Sequence, residues 1–321
     1  MHGNSNVSQA QGLSVVIPVY RSAPILPELT RRLQAVLKEI TNDYEVLFVD
    51  DSSPDDSWEV ICQLAPQYSW IRAIRLMRNY GQHNALLCGI RAAQYGIIVT
   101  MDDDLQHPPE EIPKLLAALE EGYDVIYGSP KQERHGLGRD LASVITKLTL
   151  QNVMGGEIAR QVSAFRAFRS EVTRAFKHYE GAFVSIDVLL TWGTNRFHVI
   201  PIEHEPRKQG ISGYNVQKLI THAVNMMTGF STLPLQLASL VGFVFTIFGF
   251  FVLVYVLSRY LAHGDPVPGF PFLASVIALF SGAQLFALGI IGEYLARIHF
   301  RSMEKPAYVV RTDSGEQRGY V

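Results

Sequence analysis

Cysteine occurs only twice in 321 residues, as Cys62 and Cys88. Two cysteines supply neither a disulfide framework nor metal-site spacing, and a reducing compartment is their natural setting. Charge of either sign is unremarkable in balance: 28 Lys and Arg against 30 Asp and Glu leave a net charge of -2. Nucleic-acid binders usually carry a clear basic excess, so no nucleic-acid partner is expected. Neither a GxGxxG fingerprint nor a GxxxxGK[ST] loop is present, which disfavours a dinucleotide dehydrogenase and a P-loop nucleotidase. The first residues, MHGNSNVSQAQG, hold no apolar stretch and do not read as a signal peptide. Residues 1–12 read as a disordered tail.

Charged residues make up 18% of the chain, below the roughly 25% of soluble domains. The shortfall is local: 231–258 and 269–292 contain none. Leu233 to Ser258 and Gly269 to Gly292 each exceed the ~20 residues that a helix needs to cross the hydrocarbon core. Such a segment must satisfy its backbone internally, which makes helix the open-chain solution. Gly264, Pro266 and Pro268 suit a tight turn between the two. Arg207, Lys208 and Lys218 precede the first span and Arg297, Arg301 and Lys305 follow the second, whereas only Arg259 lies between. The positive-inside rule then puts both termini in the cytoplasm. Small residues of the second span, including Ser281, Gly282, Ala283 and Gly289, would let the two helices approach closely. A pair of buried core helices is the competing reading, and span length argues against it. Between Tyr214 and Phe230, apolar residues recur at helical spacing, as in an amphipathic helix on a membrane surface or packed on the soluble part.

Ahead of the spans, short apolar runs alternate with helical patterns. LSVVIPVY (13–20), YEVLFVDD (44–51), IRAIRLM (71–77), IIVTMD (97–102) and YDVIYGS (123–129) read as strands. Residues 25–40, 57–65, 84–94 and 109–121 read as the helices between them. This alternation predicts an α/β fold, a mostly parallel sheet with helices on both faces. In such sheets ligands bind beyond the carboxyl ends of the strands. Tyr20, Asp50 and Asp51, Arg78 and Asn79, and Asp102 to Asp104 all stand at those ends and should converge on one edge.

Alternation along a strand lets Asp102 and Asp104 face one side. Two carboxylates so placed can hold Mg²⁺ or Mn²⁺ against a diphosphate, and the cation neutralises charge on a departing nucleoside diphosphate. A bare DxD is more often a solvated acidic turn; its position at the end of an apolar strand favours the functional reading. His83, His107 and His135 are scattered, and none is assigned to a metal. Lys131, Arg134 and Arg139 lie in a stretch with Gly136 and Gly138, which suits either a phosphate-binding loop or a solvated basic one.

SVVIPVY, FVDDSSPDDS, RNYGQH and MDDDLQHPPEEIP, in this order, resemble family 2 glycosyltransferases of the GT-A fold. Among these the resemblance is to polyprenyl-phosphate glycosyltransferases and runs from about Leu13 to Tyr308, the two C-terminal spans included. It implies a nucleotide-sugar donor, most simply a UDP-sugar, a polyprenyl (undecaprenyl) phosphate acceptor, an inverting reaction and a cell inner-membrane location. Pro18, Tyr20 and Asp50 would line the nucleoside pocket, Asn79, Asp102 and Asp103 would meet the donor, and Asp104 with Gln106 would hold the metal. The segment from Glu205 to Tyr214 resembles an RxxGxSKY motif, implying acceptor-phosphate contacts from Arg207, Ser212 and Tyr214, with Arg139 added from the basic loop. Gly213 stands where the family has Lys. A second departure lies at Ala159–Ser163, where formamido-arabinose transferases carry a GDYG-like stretch whose acid has been considered a base; here the Asp is absent.

Domain limits follow: a catalytic unit over 13–213, an interfacial helix over 214–231, the transmembrane pair within 232–293 and a cytoplasmic tail over 294–321, expected to pair in part with the soluble unit. Several relatives assemble as oligomers, so a homo-oligomer stays open. A processive polysaccharide synthase is disfavoured because the chain lacks channel helices and a QxxRW-like segment. A catalytically inactive nucleotide-binding membrane scaffold for a lipid-sugar flippase is the alternative from another class, and a glycosyltransferase with another acceptor is the remaining one.

Overall fold

The structure is a computed structural model that describes residues 12–130, 158, 161–181, 184–205, 233–263, 269–303 and 305–315. It falls into two compact units, one drawn from 1–219 with 305–321 and the other from 220–304. The amphipathic helix expected over 214–231 lies outside the described residues, as do Arg139, Arg207, Ser212 and Tyr214.

The first unit is built on an eight-stranded sheet. Its strands are β1 (Leu13–Val19), β2 (Tyr44–Asp50), β3 (Ile71–Leu76), β4 (Ile97–Thr100), β5 (Val125–Pro130), β6 (Arg166–Arg169), β7 (Phe197–Ile202) and β8 (Val310–Asp313). They lie in the order β7-β5-β6-β4-β1-β2-β3-β8. β1 pairs in parallel with β2 and β4, β2 with β3, and β5 with β7. β6 runs antiparallel between β4 and β5, and β8 runs antiparallel along β3. Helices α1 (Leu26–Ile40), α2 (Ser57–Leu64), α3 (Gln82–Ala92) and α4 (Ile112–Glu120) fill the connections between β1 and β5. A shorter α5 spans Ile186–Thr191. The expected strands and helices up to residue 130 are all present, to within a few residues at their ends.

Local sequence explains these elements. β1 is buried along its whole length, as a central strand covered on both faces must be, and all its residues but Ser14, whose hydroxyl donates to Glu45, are correspondingly apolar. α1 buries Leu26, Leu29, Leu33 and Leu37, one stripe at helical spacing. Pro27 and Glu28 suit its first turn and Lys38 its last, where the helix dipole favours those charges. Fully burying one such leucine stabilises by about 1.5–3 kcal/mol, so the stripe fixes which face meets the sheet.

Three strands were not anticipated from the sequence. β6 has four residues, two of them arginines, and its Arg166 is buried inside the sheet. β7 and β8 lie far along the chain from their neighbours. β8 follows the apolar helices and returns to the sheet of the first unit. Arg72 donates Nε to Asp313 Oδ1 at 2.9 Å and Nη2 to Oδ2 at 2.6 Å, and the Met77 N–H donates to Val309 O. The tail after Tyr308 thus pairs with the first unit, as expected.

The second unit holds α6 (Leu233–His263) and α7 (Phe270–Ser302). Leu235–Arg259 and Leu279–Ala296 are long and apolar enough to cross a membrane, and apart from Ala238 neither stretch is buried by protein. Both helices outrun the expected spans, at 31 and 33 residues. Their contact differs in detail from the expectation. Phe280 of α7 packs beside Phe245 with ring centroids 5.7 Å apart, over Gly249 of α6, where a Cβ would come within 2.8 Å of its ring. Gly282 and Gly289 face open space. At this contact the small residue is Gly249 on the first helix, which leaves room for a large ring on the second.

Candidate active site

The chain lays β1, β2 and β3 in one direction across the sheet, then returns to set β4 on the other side of β1. Connections leave β1 and β4 in opposite directions, which opens a crevice at their carboxyl ends. Pro18 widens it. The Met101 N–H still donates to Val16 O, at 3.3 Å, and ladder pairing ends at Val16 and Thr100. One alternation further, Pro18 faces the same side and has no N–H to offer, so the strands part there. A cleft of about 250 Å³ fills the gap. Pro18, Val19 and Tyr20 line it from β1, Asp51 from the end of β2, Asn79, Gly81 and Gln82 from beyond β3, and Asp102, Asp103 and Asp104 from beyond β4.

The backbone at this edge is strained. Among the described residues, the non-glycine positions with positive φ are Arg21 (58°), Ser52 (55°) and Leu105 (59°), just past the ends of β1, β2 and β4. Each costs roughly 1–2 kcal/mol in the left-handed region, so neighbouring contacts must hold it. Arg21 donates its N–H to Ser53 Oγ at 3.3 Å, and Ser53 donates its N–H to Asp50 Oδ1 at 3.1 Å. The Leu105 side chain is buried, and Asp104 Oδ1 accepts the Gln106 N–H at 3.1 Å across it.

Asp50 does not border the cleft. Its side chain is fully buried and lies 3.3 Å from Arg75 Nε. Burial pushes its carboxyl up, while Ser53 and Arg75 oppose the rise. The next residue takes the cleft position, because side chains alternate as β2 ends. Asp51 accepts the N–H groups of Tyr80 and Gly81, both at 2.7 Å. Burial raises its carboxyl too, and those two N–H groups lower it. Gly81 has φ 94°, which glycine adopts without the penalty of a side chain. The turn delivers the first residue of α3, Gln82, whose Nε2 donates to Asp102 Oδ1 at 2.5 Å. RNYGQH is conspicuous in the sequence, but nothing local in it says that Gln82 reaches a strand end 20 residues away.

Asp103 Oδ2 accepts the Tyr20 N–H at 3.1 Å, which joins the two walls of the crevice. Burial pushes the Asp103 carboxyl up to about 6, against hydrogen bonds from Ser22 and Tyr20 that favour its charged form. His107 stacks on Phe165 and meets His204 edge-on, with centroids 5.4 and 5.3 Å away. Burial holds its imidazole down to about 4, so it is neutral near pH 7.

Behind the acids lies a buried polar cluster. Arg166, in register with Thr100, ion-pairs with Asp187 of α5, which also accepts the Tyr127 hydroxyl at 3.0 Å. Thr100 Oγ1 donates to Ala164 O at 2.8 Å and ties the approach to β6 to the end of β4. On the other flank, the Glu205 N–H donates to Gln106 O at 2.9 Å, and Arg32 bridges Glu205 and Glu110.

Among the described residues, no three His, Cys, Asp or Glu side chains gather closely enough to enclose a metal ion. Asp102 and Asp104 nevertheless offer hard oxygen ligands on one cleft. That set fits a Mg²⁺ or Mn²⁺ ion, which commonly takes one or two carboxylates and fills its shell with phosphate and water. Of the residues expected at the site, Pro18, Tyr20, Asn79, Asp102, Asp103 and Asp104 meet on the cleft, and Gln106 adjoins it through Asp104.

Relatives can now be set beside this geometry. The undecaprenyl-phosphate 4-deoxy-4-formamido-L-arabinose transferase of Yersinia enterocolitica is 34% identical over 98% of this chain and 97% of its own. That of Enterobacter sp. is 35% identical over 96% and 95%. Among solved structures, glucosyl-3-phosphoglycerate synthase from Mycobacterium tuberculosis, in complex with Mn²⁺, UDP and glucosyl-3-phosphoglycerate, superposes with a TM-score of 0.53 at 15% identity. The match covers 71% of this chain and 84% of that one, and it carries the fold, a GT-A arrangement. Residues 14–176 match the family described as Glycosyl transferase family 2. With the ordered strand-end motifs, the crevice and these near full-length relatives in agreement, the chain belongs to glycosyl transferase family 2.

Proposed function

We propose that this protein transfers a sugar from a nucleotide-sugar donor, a UDP-sugar, to polyprenyl phosphate at the cytoplasmic face of the inner membrane, with inversion at the anomeric carbon. The observation that carries the proposal is the convergence of Asp102, Asp104 and Asn79 with Pro18 and Tyr20 on one cleft between β1 and β4. Relatives of nearly equal length act on undecaprenyl phosphate by name, which supports the acceptor. Two exposed apolar helices in the same chain support a lipid-borne one.

On this reading the nucleoside lies against Pro18 and Tyr20, and Asn79 and Asp103 meet the donor. Asp104, assisted by Gln106, would hold a divalent cation at the diphosphate, and Asp102, which also meets the donor, would be its second carboxylate. That cation, when bound, neutralises charge developing on the departing nucleoside diphosphate. The acceptor phosphate is held by Arg207, Ser212 and Tyr214, with Arg139 from the basic loop. One of its oxygens attacks the anomeric carbon, the bond from that carbon to the diphosphate oxygen breaks, and the nucleoside diphosphate leaves with the electron pair. A phosphate monoester has a second pKa of about 6 and is largely dianionic at neutral pH, so it needs no base. The absence of Asp from Ala159–Ser163 is compatible with that chemistry. What the phosphate needs is positioning against a donor of the same sign, and arginines supply it.

The limits 13–213, 214–231, 232–293 and 294–321 are the proposed domain boundaries, and both termini are cytoplasmic because Lys and Arg cluster outside the spans. The test is transfer of radiolabelled sugar from UDP-, GDP- and dTDP-sugars to undecaprenyl phosphate with Mg²⁺, Mn²⁺ or EDTA. Label should enter the lipid phase only with metal, and Asp104→Ala should lose at least ~10²-fold in rate. A protein that binds nucleotide but labels no lipid with any donor would support the inactive scaffold or another acceptor instead.

A further inference from the structure

We propose that Gln82 is a positioning residue for the Asp102 carboxylate and thereby sets how tightly the site binds its divalent cation. The inference rests on the functional reading above, in which Asp102 and Asp104 hold that cation. Three contacts make the connection. Asp51, at the end of β2, accepts the N–H groups of Tyr80 and Gly81 at 2.7 Å each and fixes the turn before α3. Gly81, with φ 94°, turns the chain into α3, which packs against β1 and β2. Gln82 then reaches across to Asp102, and its amide donates to Oδ1 at 2.5 Å.

An aspartate beyond a strand end has rotational freedom about two side-chain bonds. A ligand that must be ordered when the cation binds gives up that freedom then, and the loss weakens binding. A hydrogen bond to one oxygen narrows the carboxylate's orientations before the cation arrives. The amide suits this task because it is neutral: a lysine or arginine here would contribute positive charge and compete with the cation. Gln82 is exposed and its loss opens no cavity, so its effect separates cleanly from stability.

The experiment compares wild type with Gln82→Ala in the full-length protein. UDP affinity is measured by calorimetry with and without Mn²⁺, and the Mn²⁺ concentration for half-maximal transfer and the melting temperature are recorded alongside. A hydrogen bond to a charged group corresponds to about a tenfold change, so half-saturating Mn²⁺ should rise ~10-fold. The ratio of UDP affinity with Mn²⁺ to UDP affinity without it should fall by a similar factor, with melting temperature unmoved. Unchanged or tighter Mn²⁺ dependence in the variant overturns the proposal while leaving the functional reading intact. Failure of Mn²⁺ to affect UDP binding in wild type overturns the metal reading itself, and this proposal with it.

Discussion

Asp50 and Asp51 are adjacent carboxylates held in opposite surroundings at the end of one strand. Asp50 compensates Arg75 in the interior, whereas Asp51 holds the Tyr80–Gly81 turn at the cleft. Removing Asp50 leaves a partly buried guanidinium without its counter-charge, so Asp50→Ala should cost about 1–3 kcal/mol of stability and leave nucleotide affinity nearly unchanged. Asp51→Ala removes two charge-assisted bonds that shape the donor cleft, and UDP affinity should fall ~10-fold or more. Melting temperature and UDP titration of both variants decide the matter, and the reverse pattern would return Asp50 to the pocket. Sequence made the cluster of strand-end acids legible because each follows an apolar run. It could not say which of two neighbouring aspartates faces outward, since that depends on where the ladder ends and on the position of Arg75, Tyr80 and Gly81.

β8 shows the same division between local and distant information. The elements from β1 to β5 were readable because each βα unit carries its own apolar period and its own turn residues. β6, with four residues and a buried arginine, has no such period, and β8 becomes a strand only because β3 offers an edge more than 230 residues earlier. Its stability is testable through Arg72 and Asp313. Burial raises the Asp313 carboxyl, but the bidentate Arg72 and the Gly315 N–H outweigh it and hold the group below its ordinary value. A depressed carboxylate contributes stability that is fully present above its unfolded pKa, about 3.9, and is lost as pH falls through the lower folded value. Asp313→Asn should therefore melt lower than wild type at pH 7, by an amount corresponding to about 2 kcal/mol. The difference should shrink as pH falls below about 3.9. A gap that persists unchanged at low pH would mean that the charge of Asp313 does not hold the strand.

At the scale of the whole molecule, the chain leaves the catalytic unit before residue 220, forms two apolar helices and returns at residue 305 to complete the same sheet. Two crossings bring a chain back to the side it left, so the return of β8 agrees with an even number of spans. In the proposed topology, the clustering of Lys and Arg on both flanks puts that side in the cytoplasm. The two cysteines make the orientation measurable. Cys62 is exposed on the catalytic unit, whereas Cys88 is buried and its thiol is pushed up to about 12, mainly by burial, which leaves it inert to alkylation near neutral pH. In intact cells a membrane-impermeant maleimide should leave the wild-type protein unlabelled, and permeabilisation should expose Cys62 alone. Asp265→Cys, in the connection between the helices, should label without permeabilisation. If Cys62 reacts in intact cells while Asp265→Cys does not, the catalytic cleft faces outward. It would then be cut off from cytoplasmic nucleotide sugars, and the proposed reaction would have no donor.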